Sequence, residues 1–501
     1  MRCERKFVFP LFASFLIMTA LASVSEAKTI YVPDDYARIQ WAVDNASDGD
    51  TIIVRDRIYY ESITVSKHLT IKSENGSENC IVNGTGSDVF TLEADGIRIE
   101  GFTITGGRYG IYIRSNSNKI INNNIISNYG VGSIYLDCSN NNSISDNNIS
   151  NNWLGMELSN SNNNRILKNN ISNNVGGIFF DCSNNNSISE NIISSNSWHG
   201  IFLWYSNKTM IRKNEFINDG LFVYDSYSNI VEDNKVNGKP LVYLENESDK
   251  IIDNAGQVIL VRCKNITITN AELTNTDVGI ELFESDNCLI SNNNISKNKR
   301  GGIFFGYSNN NSISNNNISN NEGGIFLGCS NNNSILENII SSNNYYSISL
   351  GNSNKTMISK NNISNNRKGI CLWYSNNNII YLNNFINNTE SVYSYNSTNI
   401  WNSKEPITYT YRGSKFTNYM GNYWDDYKGS DANGDGIGDT PHIIDSDKDY
   451  YPLIERFENY FVETPTPTPA KIFDTGRPEN PYPSISGKFI GTIRTNTKII
   501  E

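Results

Sequence analysis

The chain repeats itself at intervals of 22 or 23 residues. The repeated phrase is Gly-Ile-x-Φ or a close variant, where Φ is a large apolar residue. The position after the glycine is filled by Ile111, Ile134, Met156, Ile178 and Ile201, and then by Ile280, Ile303, Ile325, Ile348 and Ile370. Within each run the spacing drifts by one residue at most, which excludes coincidence. Such a chain must fold as a stack of equivalent units.

A second phrase, of the type NNNSISxNNIS, lies between the first ones. It places isoleucines in matching columns at Ile144/Ile149, Ile166/Ile171, Ile313/Ile318 and Ile358/Ile363. Each unit therefore contains three short apolar segments, separated by Asn, Ser and Gly. No unit holds a ten-residue helical pattern, and short apolar segments between turn residues predict strands.

Because all units run in the same direction, equivalent strands must lie parallel to one another. The sequence predicts an all-β, right-handed parallel β-helix, with three strands and about 22 residues per coil and about 4.8 Å between coils. From Gly110 to about Ile400 there is room for roughly 13 coils, or about 60 Å of rod. A leucine-rich horseshoe has a similar period, but the chain lacks its Leu-x-x-Leu-x-Leu pattern and its helical side.

The most polar stretch, "SNNNSISNNNISNN" (308–321), is then one coil rather than a disordered tract. Asparagine tolerates the left-handed corners between strands better than other non-glycine residues do. Equivalent asparagines on successive coils can also hydrogen-bond in a ladder along the rod. On this interpretation Ile313→Asp prevents folding, whereas a single Asn→Ser change in this stretch is nearly neutral.

Five segments are predicted along the chain. They are a secretory signal peptide (1–27), an N-terminal cap with the first coils (28–105), the β-helix repeats (106–400), a C-terminal cap (401–460) and a Thr/Pro linker with a tail (461–501). Apolar residues at helical spacing from Tyr36 to Ala46 predict a helix that covers the open N-terminal end of the core. The irregular stretch 237–270 is expected to bulge from the rod as an insertion, with Pro240 at a strand start or edge.

The first segment has basic residues before an apolar run from Phe7 to Ala22, which is typical of export signals. We therefore expect a secreted or cell-surface protein. No later stretch reaches the roughly 20 apolar residues that span a bilayer. The net charge of -11 disfavours nucleic acid as a partner. Acceptor sequences for N-glycosylation are frequent, for example at Asn75, Asn207, Asn265 and Asn354.

The stretch "DANGDGIGD" (431–439) predicts a calcium loop. Oxygen ligands alternate as in the first half of an EF-hand, and the candidate ligands are Asp431, Asn433, Asp435, Asp439 and the carbonyl of Ile437. The twelfth position is His442 instead of the usual glutamate, so we expect weak binding completed by a later aspartate. The alternative is an Asp/Gly-rich turn without an ion. Copper is not expected, because no cluster of His, Met or Cys has the spacing of a soft-metal site.

The Gly-Ile-x-Φ-x strands also place two columns of side chains on one outer face, because side chains alternate along a strand. The first column contains Tyr112, Tyr135, Glu157, Phe179, Phe202, Glu281, Phe304 and Phe326, and the second Arg114, Asp137, Ser159, Asp181, Trp204, Phe283, Gly306, Gly328, Gly351 and Trp373. Aromatic faces beside carboxylates suit sugar rings, with Tyr135, Phe179, Phe202 and Trp204 as candidate carbohydrate-binding residues. The three acids Asp137, Glu157 and Asp181 are candidate catalytic residues. The alternative is that the insertion or a partner protein covers this face.

The chain as a whole resembles the NosD-like branch of the right-handed, pectin-lyase-like β-helix proteins, which bind carbohydrates or hydrolyse sugars. The resemblance is carried by "VPDDYARIQWAVDNASDGDTIIV", the Asn-rich coils, "NGKPLVYLEN", "AGQVILV" and "GNYWDDYKGSDANGDGIGDTP", and it covers about residues 28–455. It is closest to the exported archaeal surface proteins of this type. The branch is named after a periplasmic protein that helps to deliver copper to nitrous oxide reductase.

These observations favour a non-enzymatic surface protein that binds glycans or acts in the cell envelope. Two alternatives stay open. One is a polysaccharide hydrolase or lyase that uses the three acids, and the other is a copper-delivery accessory protein like the one that gives the branch its name.

Overall fold

The computed structural model of the protein describes residues 26–445 and 447–462. Nearly all of the predicted signal peptide and of the predicted linker and tail lies outside the described residues. Within the described part of the chain, no helix is both long and apolar enough to cross a membrane.

The fold is a solenoid of about 17 turns, each made mostly of three short strands. In its N-terminal half the strands form three parallel sheets. Sheet N1 contains Ile63–Val65, Phe90–Leu92, Ile111–Ile113, Ile134–Asp137, Leu154–Ser159, Gly176–Asp181, His199–Trp204 and Leu221–Tyr224. Sheet N2 contains Thr29–Val32, Thr51–Val54, Thr70–Ser73, Arg98–Glu100, Lys119–Ile121, Ser143–Ser145, Arg165–Leu167, Ser187–Ser189, Met210–Arg212 and Ile230–Glu232. Sheet N3 contains Arg57–Tyr60, Cys80–Asn83, Thr103–Thr105, Asn124–Ile126, Asn148–Ser150, Asn170–Ser172, Ile192–Ser194, Glu215–Ile217 and Lys235–Val236.

The C-terminal half repeats this arrangement with three further parallel sheets. Sheet C1 contains Lys239–Glu245, Gln257–Val261, Val278–Phe283, Gly301–Gly306, Gly323–Gly328, Tyr346–Gly351, Lys368–Trp373 and Glu390–Tyr395. Sheet C2 contains Ile251–Ile252, Thr267–Thr269, Leu289–Ser291, Ser312–Ser314, Ser334–Leu336, Met357–Ser359 and Ile379–Tyr381. Sheet C3 contains Glu272–Thr274, Asn294–Ser296, Asn317–Ser319, Ile339–Ser341, Asn362–Ser364, Asn384–Ile386 and Tyr423–Trp424.

Neighbouring strands are in register, so residues one repeat apart lie side by side. Ile166 pairs with Ile188 in sheet N2, and Ile290 pairs with Ile313 in sheet C2. These residues point into the rod and are fully buried. The predicted β-helix is therefore confirmed, and its coils begin near Thr29, within the segment predicted to hold the N-terminal cap and the first coils.

The asparagines have two different positions in each coil. Those at the corners, such as Asn315 and Asn320, have positive φ angles of 55° and 57°. The next residues, Asn316 and Asn321, turn inward and are buried. The Asn316 side chain accepts the backbone N–H of Asn293 at 2.9 Å, and its amide donates to Ile290 O at 2.9 Å and to Asn338 Oδ1 at 3.0 Å. Repetition of this bonding from coil to coil forms the predicted ladders.

The stretch 237–270 does not bulge from the rod, contrary to the prediction. A turn at Asn237-Gly238 reverses the chain, and Lys239–Glu245 pairs antiparallel with Lys235–Val236 before sheet C1 begins. Pro240 lies at the second position of this strand and is exposed. All five residues of Gln257–Val261 are buried, because alternate side chains enter the cores of the two halves. The stretch thus forms a wall that two stacked solenoids share. We call this region, residues 237–270, the junction.

Sheet N1 ends at the junction with an edge that no strand covers. Side chains of sheet C1 take the place of that strand. The Gln257 amide accepts the N–H of Leu221 at 3.0 Å and donates to its carbonyl at 2.7 Å, while the Glu281 carboxylate accepts the N–H of Val223 at 3.2 Å. These bonds satisfy backbone groups that would be costly to bury unpaired.

Both ends of the rod are covered. The predicted N-terminal helix is present as Ile39–Asn45, it buries Ile39, Ala42 and Val43 against the first coil, and Glu61 accepts its first N–H groups. The C-terminal cap contains the antiparallel strands Ile407–Tyr411, Ser414–Asn418 and Phe461–Val462, the hairpin His442–Ile444 and Asp447–Asp449, and a 3-10 turn at Phe457–Asn459.

The two classes of asparagine give a stability prediction that replaces the uniform expectation from the sequence. Asn316→Ala leaves the buried N–H of Asn293 without an acceptor, so we expect a loss of about 2–4 kcal/mol in unfolding free energy. Asn317 points outward from a strand, so Asn317→Ala removes an exposed side chain with one surface hydrogen bond to Asn294 and should change this free energy by less than about 0.5 kcal/mol. Denaturant unfolding of both variants tests this, and equal effects would contradict the ladder as a source of stability.

Candidate functional site

The outer columns of sheet N1 form one face of the rod, as the sequence predicts. Tyr135 pairs with Glu157, Glu157 with Phe179, and Phe179 with Phe202 on successive coils. The prediction of solvent exposure fails at the junction. Phe202, Glu281 and Phe283 are buried there, because the two halves meet over these positions.

A cleft of about 340 Å³ opens on this face. Its lining consists of Val131, Trp153, Leu154, Glu157, Phe179, Trp198, His199, Phe202 and Trp204, and we call it the tryptophan cleft. The three tryptophans are 53%, 48% and 37% exposed, which leaves much of each indole available to a ligand. The structure thus brings together three of the four predicted carbohydrate-binding residues.

The fourth predicted residue, Tyr135, lies outside the cleft. Its ring stacks on Tyr112, with centroids 5.4 Å apart, and on Tyr109, with centroids 5.2 Å apart. Sequence reasoning missed Trp153 and Trp198, which stand just before strands of sheet N1 rather than within them. This position holds Trp153, Val175 and Trp198 on successive coils, so an apolar column was visible in the sequence just outside the repeated phrase.

The three candidate acids have different surroundings. Glu157 lines the cleft, whereas Asp137 and Asp181 lie in the neighbouring column, where both pair with Ser159. Asp137 accepts a hydrogen bond from Tyr112 Oη at 3.0 Å. Glu157 Oε2 is buried and has no hydrogen-bond partner. Burial, and then the negative charge of Asp181, raise the pKa of Glu157. A protonated Glu157 would offer the cleft a hydrogen-bond donor.

His199 forms part of the cleft wall between Trp198, Phe179 and Phe202. Its ring is buried, and Nδ1 has no hydrogen-bond partner. Burial first, and then the charges of Arg300 and Lys299, lower the pKa of His199 to about 3. The imidazole is therefore neutral at physiological pH and can exchange hydrogen bonds with a neutral ligand, but it is a poor base.

A second cavity of about 380 Å³ lies at the junction. We call it the junction groove. Trp204, Phe222, Tyr224, Phe304 and Phe326 form its walls, and Gly306, Gly328 and Gly351 lie along its floor. Trp204 belongs to the lining of both cavities, so the tryptophan cleft and the junction groove adjoin at this side chain.

Arg300 lines the junction groove, and the sequence did not single it out. Like Trp198, it stands just before a strand, here Gly301–Gly306. Its guanidinium carbon lies 4.4 Å from the ring centroid of Phe222 and 5.0 Å from that of Phe202. The neighbouring Lys299 forms an ion pair with the buried Asp219.

The predicted calcium loop folds around its own backbone. Asp431 accepts the N–H groups of Asp435 and Gly436 at 3.1 and 2.9 Å, and Asp435 accepts that of Ile437 at 2.8 Å. Asp439 accepts the N–H of Ala432 at 2.8 Å. Across residues 26–445 and 447–462, no group of three or more His, Cys, Asp or Glu side chains is placed to hold a metal ion. Asn433 and the Ile437 carbonyl fall outside that set of side chains, so calcium binding stays a prediction.

The raised pKa of Glu157 predicts a pH-dependent gain of stability for Glu157→Gln. At neutral pH an unfolded chain ionises this group freely, whereas the folded protein resists its ionisation, so the native acid lowers stability there. Below the ordinary pKa of 4.5 both states are protonated and the difference disappears. We therefore expect a higher melting temperature for the variant at pH 7 and an unchanged one at pH 3.5.

The same substitution at the exposed Glu215 controls for a general loss of negative charge. A gain at Glu157 that is independent of pH would contradict the assignment.

Two family models match the chain. Residues 87–236 match "Right handed beta helix region", and residues 242–429 match "Periplasmic copper-binding protein (NosD)". The boundary between the two matches falls at the junction.

One relative and two solved structures illustrate the similarity. A "Cell surface glycoprotein" of Methanothermus fervidus is 39% identical over 129 residues, which are 25% of this chain and 21% of the relative. The A-module of an Azotobacter vinelandii mannuronan C-5 epimerase is 13% identical with a TM-score of 0.28, over 72% of this chain and 92% of that one. An alginate lyase from Paenibacillus is 15% identical with a TM-score of 0.31, over 60% and 99%.

The stacked sheets and the two family matches agree on the class of protein. The chain folds as a right-handed parallel β-helix, and its residues 242–429 are similar to the NosD family.

Proposed function

We propose that the protein is a cell-surface β-helix protein that binds an extended polysaccharide along the tryptophan cleft and the junction groove, without cleaving it. The observation that carries this proposal is the set of three half-exposed tryptophans around one cleft that also contains Glu157. Indole faces stack on the apolar faces of sugar rings, and a buried carboxyl group hydrogen-bonds to hydroxyls.

The shape of the face supports an extended ligand. Seven strands line the two cavities, four in sheet N1 and three in sheet C1, which correspond to about 14 Å and about 10 Å of the face at the usual strand spacing. Such lengths suit several linked rings better than one small molecule. Exposed aromatic area of this extent on a soluble protein also favours a binding role over a purely structural one.

The placement outside the cell rests on two findings. The relative from Methanothermus fervidus is named as a cell surface glycoprotein, and the NosD family model is described as periplasmic. The predicted export signal at the N-terminus agrees with both. The matched stretch spans about a fifth of that relative, so the surface location of the whole protein is part of the proposal.

An enzymatic role is the second candidate. It is favoured by Glu157 alone, whose buried Oε2 lacks a partner and whose raised pKa suits a general acid. The neighbouring acids Asp137 and Asp181 point from the other column, and Asp137 is engaged by Tyr112. Binding without cleavage therefore agrees better with the arrangement. Copper delivery is the third candidate, and it rests on the match of residues 242–429 to the NosD family model.

Removal of one indole should weaken polysaccharide binding. Loss of a ring that stacks on a sugar costs about 1–2 kcal/mol, so Trp198→Ala should raise the dissociation constant roughly 5- to 30-fold. Affinity electrophoresis in gels that contain a panel of polysaccharides measures this effect. Trp41→Ala is the matched control, because Trp41 is 49% exposed on the capping helix, far along the chain from the cleft.

If no polysaccharide retards the native protein, the proposed function is wrong. If bound polysaccharide is cut, and new reducing ends disappear with Glu157→Gln, the enzymatic alternative replaces it.

We also propose that the loop 431–439 binds calcium weakly. The carboxylate oxygens of the loop accept hydrogen bonds from backbone N–H groups. A cation would have to break some of these bonds to bring several oxygens together, and we therefore expect millimolar affinity. Isothermal titration of the full chain with calcium should show heat that is lost in Asp431→Asn and retained in Asp88→Asn, an aspartate in the first coils. Absence of heat at millimolar calcium removes this proposal.

A further inference from the structure

We infer that Arg300 forms an anion-binding subsite in the junction groove, so that the polysaccharide carries carboxylate or sulfate groups. The inference rests on the proposed function and names the chemical class of its ligand. It is carried by a guanidinium in an aromatic groove that makes no hydrogen bond to any other residue within the described part of the chain.

The first step concerns the contacts of Arg300. Its guanidinium lies over three rings, with carbon-to-centroid distances of 4.4 Å to Phe222, 5.0 Å to Phe202 and 5.4 Å to Trp198. An aromatic ring attracts a cation but accepts no strong hydrogen bond. Nη1 is buried without a partner, and among the described residues no hydrogen bond or ion pair reaches the other guanidinium nitrogens.

The second step concerns the acids beside Arg300. Asp277 and Glu281 are close enough to influence it, but their carboxylates bind backbone groups instead. Asp277 accepts the N–H of Gly200 at 2.9 Å, and Glu281 accepts that of Val223. Both side chains are fully buried. Burial raises the pKa of Asp277 to about 7 and also raises the pKa of Glu281, which reduces their negative charge at neutral pH.

The third step is the local balance of charge. Lys299 is neutralised by its ion pair with Asp219, which also accepts the backbone N–H of Asn196. Arg300 keeps its proton in proteins, so it remains a half-buried cation without a close anion. A buried charge without a partner is costly, and a bound anion would remove that cost.

The groove has the shape to admit such a group. The rings of Phe304 and Phe326 stack with centroids 5.1 Å apart, and they form a wall beside Arg300. The floor at Gly351 is open, since a Cβ added there would meet no atom closer than 4.0 Å. A sugar ring on this wall would direct a planar carboxylate or a sulfate toward the fork of N–H donors that guanidinium presents.

The test compares polymers that differ only in charge: dextran, carboxymethyl dextran and dextran sulfate, with cellulose and pectin derivatives as further matched sets. We expect the folded native protein to prefer an anionic member over its neutral parent. Arg300→Met keeps the apolar stem but removes the donors, so it should lower the ratio of anionic to neutral binding about 10- to 100-fold.

Two variants control for other causes. Arg114→Met removes an exposed arginine from the same face outside the groove and should have no effect. Arg300→Lys keeps the positive charge but loses the planar set of guanidinium donors, so it should retain only part of the preference for the anionic polymer. If the Met variant does not fold, the Lys variant supplies the test. The carboxymethyl and sulfate arms tell which group the subsite accepts.

The outcomes separate this inference from the proposed function. Equal binding of neutral and anionic polymers, or anionic binding that Arg300→Met and Arg300→Lys leave intact, would overturn the inference alone. If no polymer in any set binds, both proposals are wrong.

Discussion

The rod depends on a hydrogen bond from a backbone N–H to the side chain of an asparagine one coil further along. A solenoid of three-stranded coils must bury its corners, and each corner contains backbone groups that the sheets cannot satisfy. The inward asparagines supply an acceptor and a donor for backbone groups of the coil before, as Asn316 does for the N–H of Asn293 and the carbonyl of Ile290. The same bond recurs from coil to coil. Coils whose corners consist almost entirely of polar residues can therefore stack around a narrow core of isoleucines.

The junction groove exists because the regular stacking of coils is interrupted at the junction. At the junction the chain reverses at Asn237-Gly238, and the first strands of sheet C1 serve two cores. The edge of sheet N1 then has to be satisfied by Gln257 and Glu281, which brings buried charged and polar residues to the middle of the rod. Arg300 and the aromatic walls lie over the same break. The junction, which interrupts the repeat, is thus also the place where ionisable side chains are concentrated beneath the outer face.

Periodicity made most of the fold predictable from the sequence. The isoleucine columns, the capping helix and the parallel stacking all follow from local patterns that recur, and the structure confirms them. The junction could not be predicted in this way. That Glu281 and Phe283 are buried depends on how two halves meet, and no repeat contains that information. The cleft was recognised only in part: Phe179, Phe202 and Trp204 stand in the columns of the repeated phrase, whereas Trp198 and Arg300 stand just before it, at a position whose residue type changes from coil to coil.

The asparagine ladders have a direction, and this decides what can stand at their ends. An interior rung must accept from one neighbour and donate to another group, which an amide can do and an ionised carboxylate cannot. A last rung has no neighbour to receive its donated proton, and three ladders close on an acceptor-only side chain: Asn196 bonds to Asp219, Asn399 to Asp447 and Asn422 to Asp449. Asparagine extends the stack, then, and aspartate terminates it. A gene could lengthen such a rod by duplicating an interior unit of 22 or 23 residues without altering either terminus, because each added rung carries the bonds that its neighbours require.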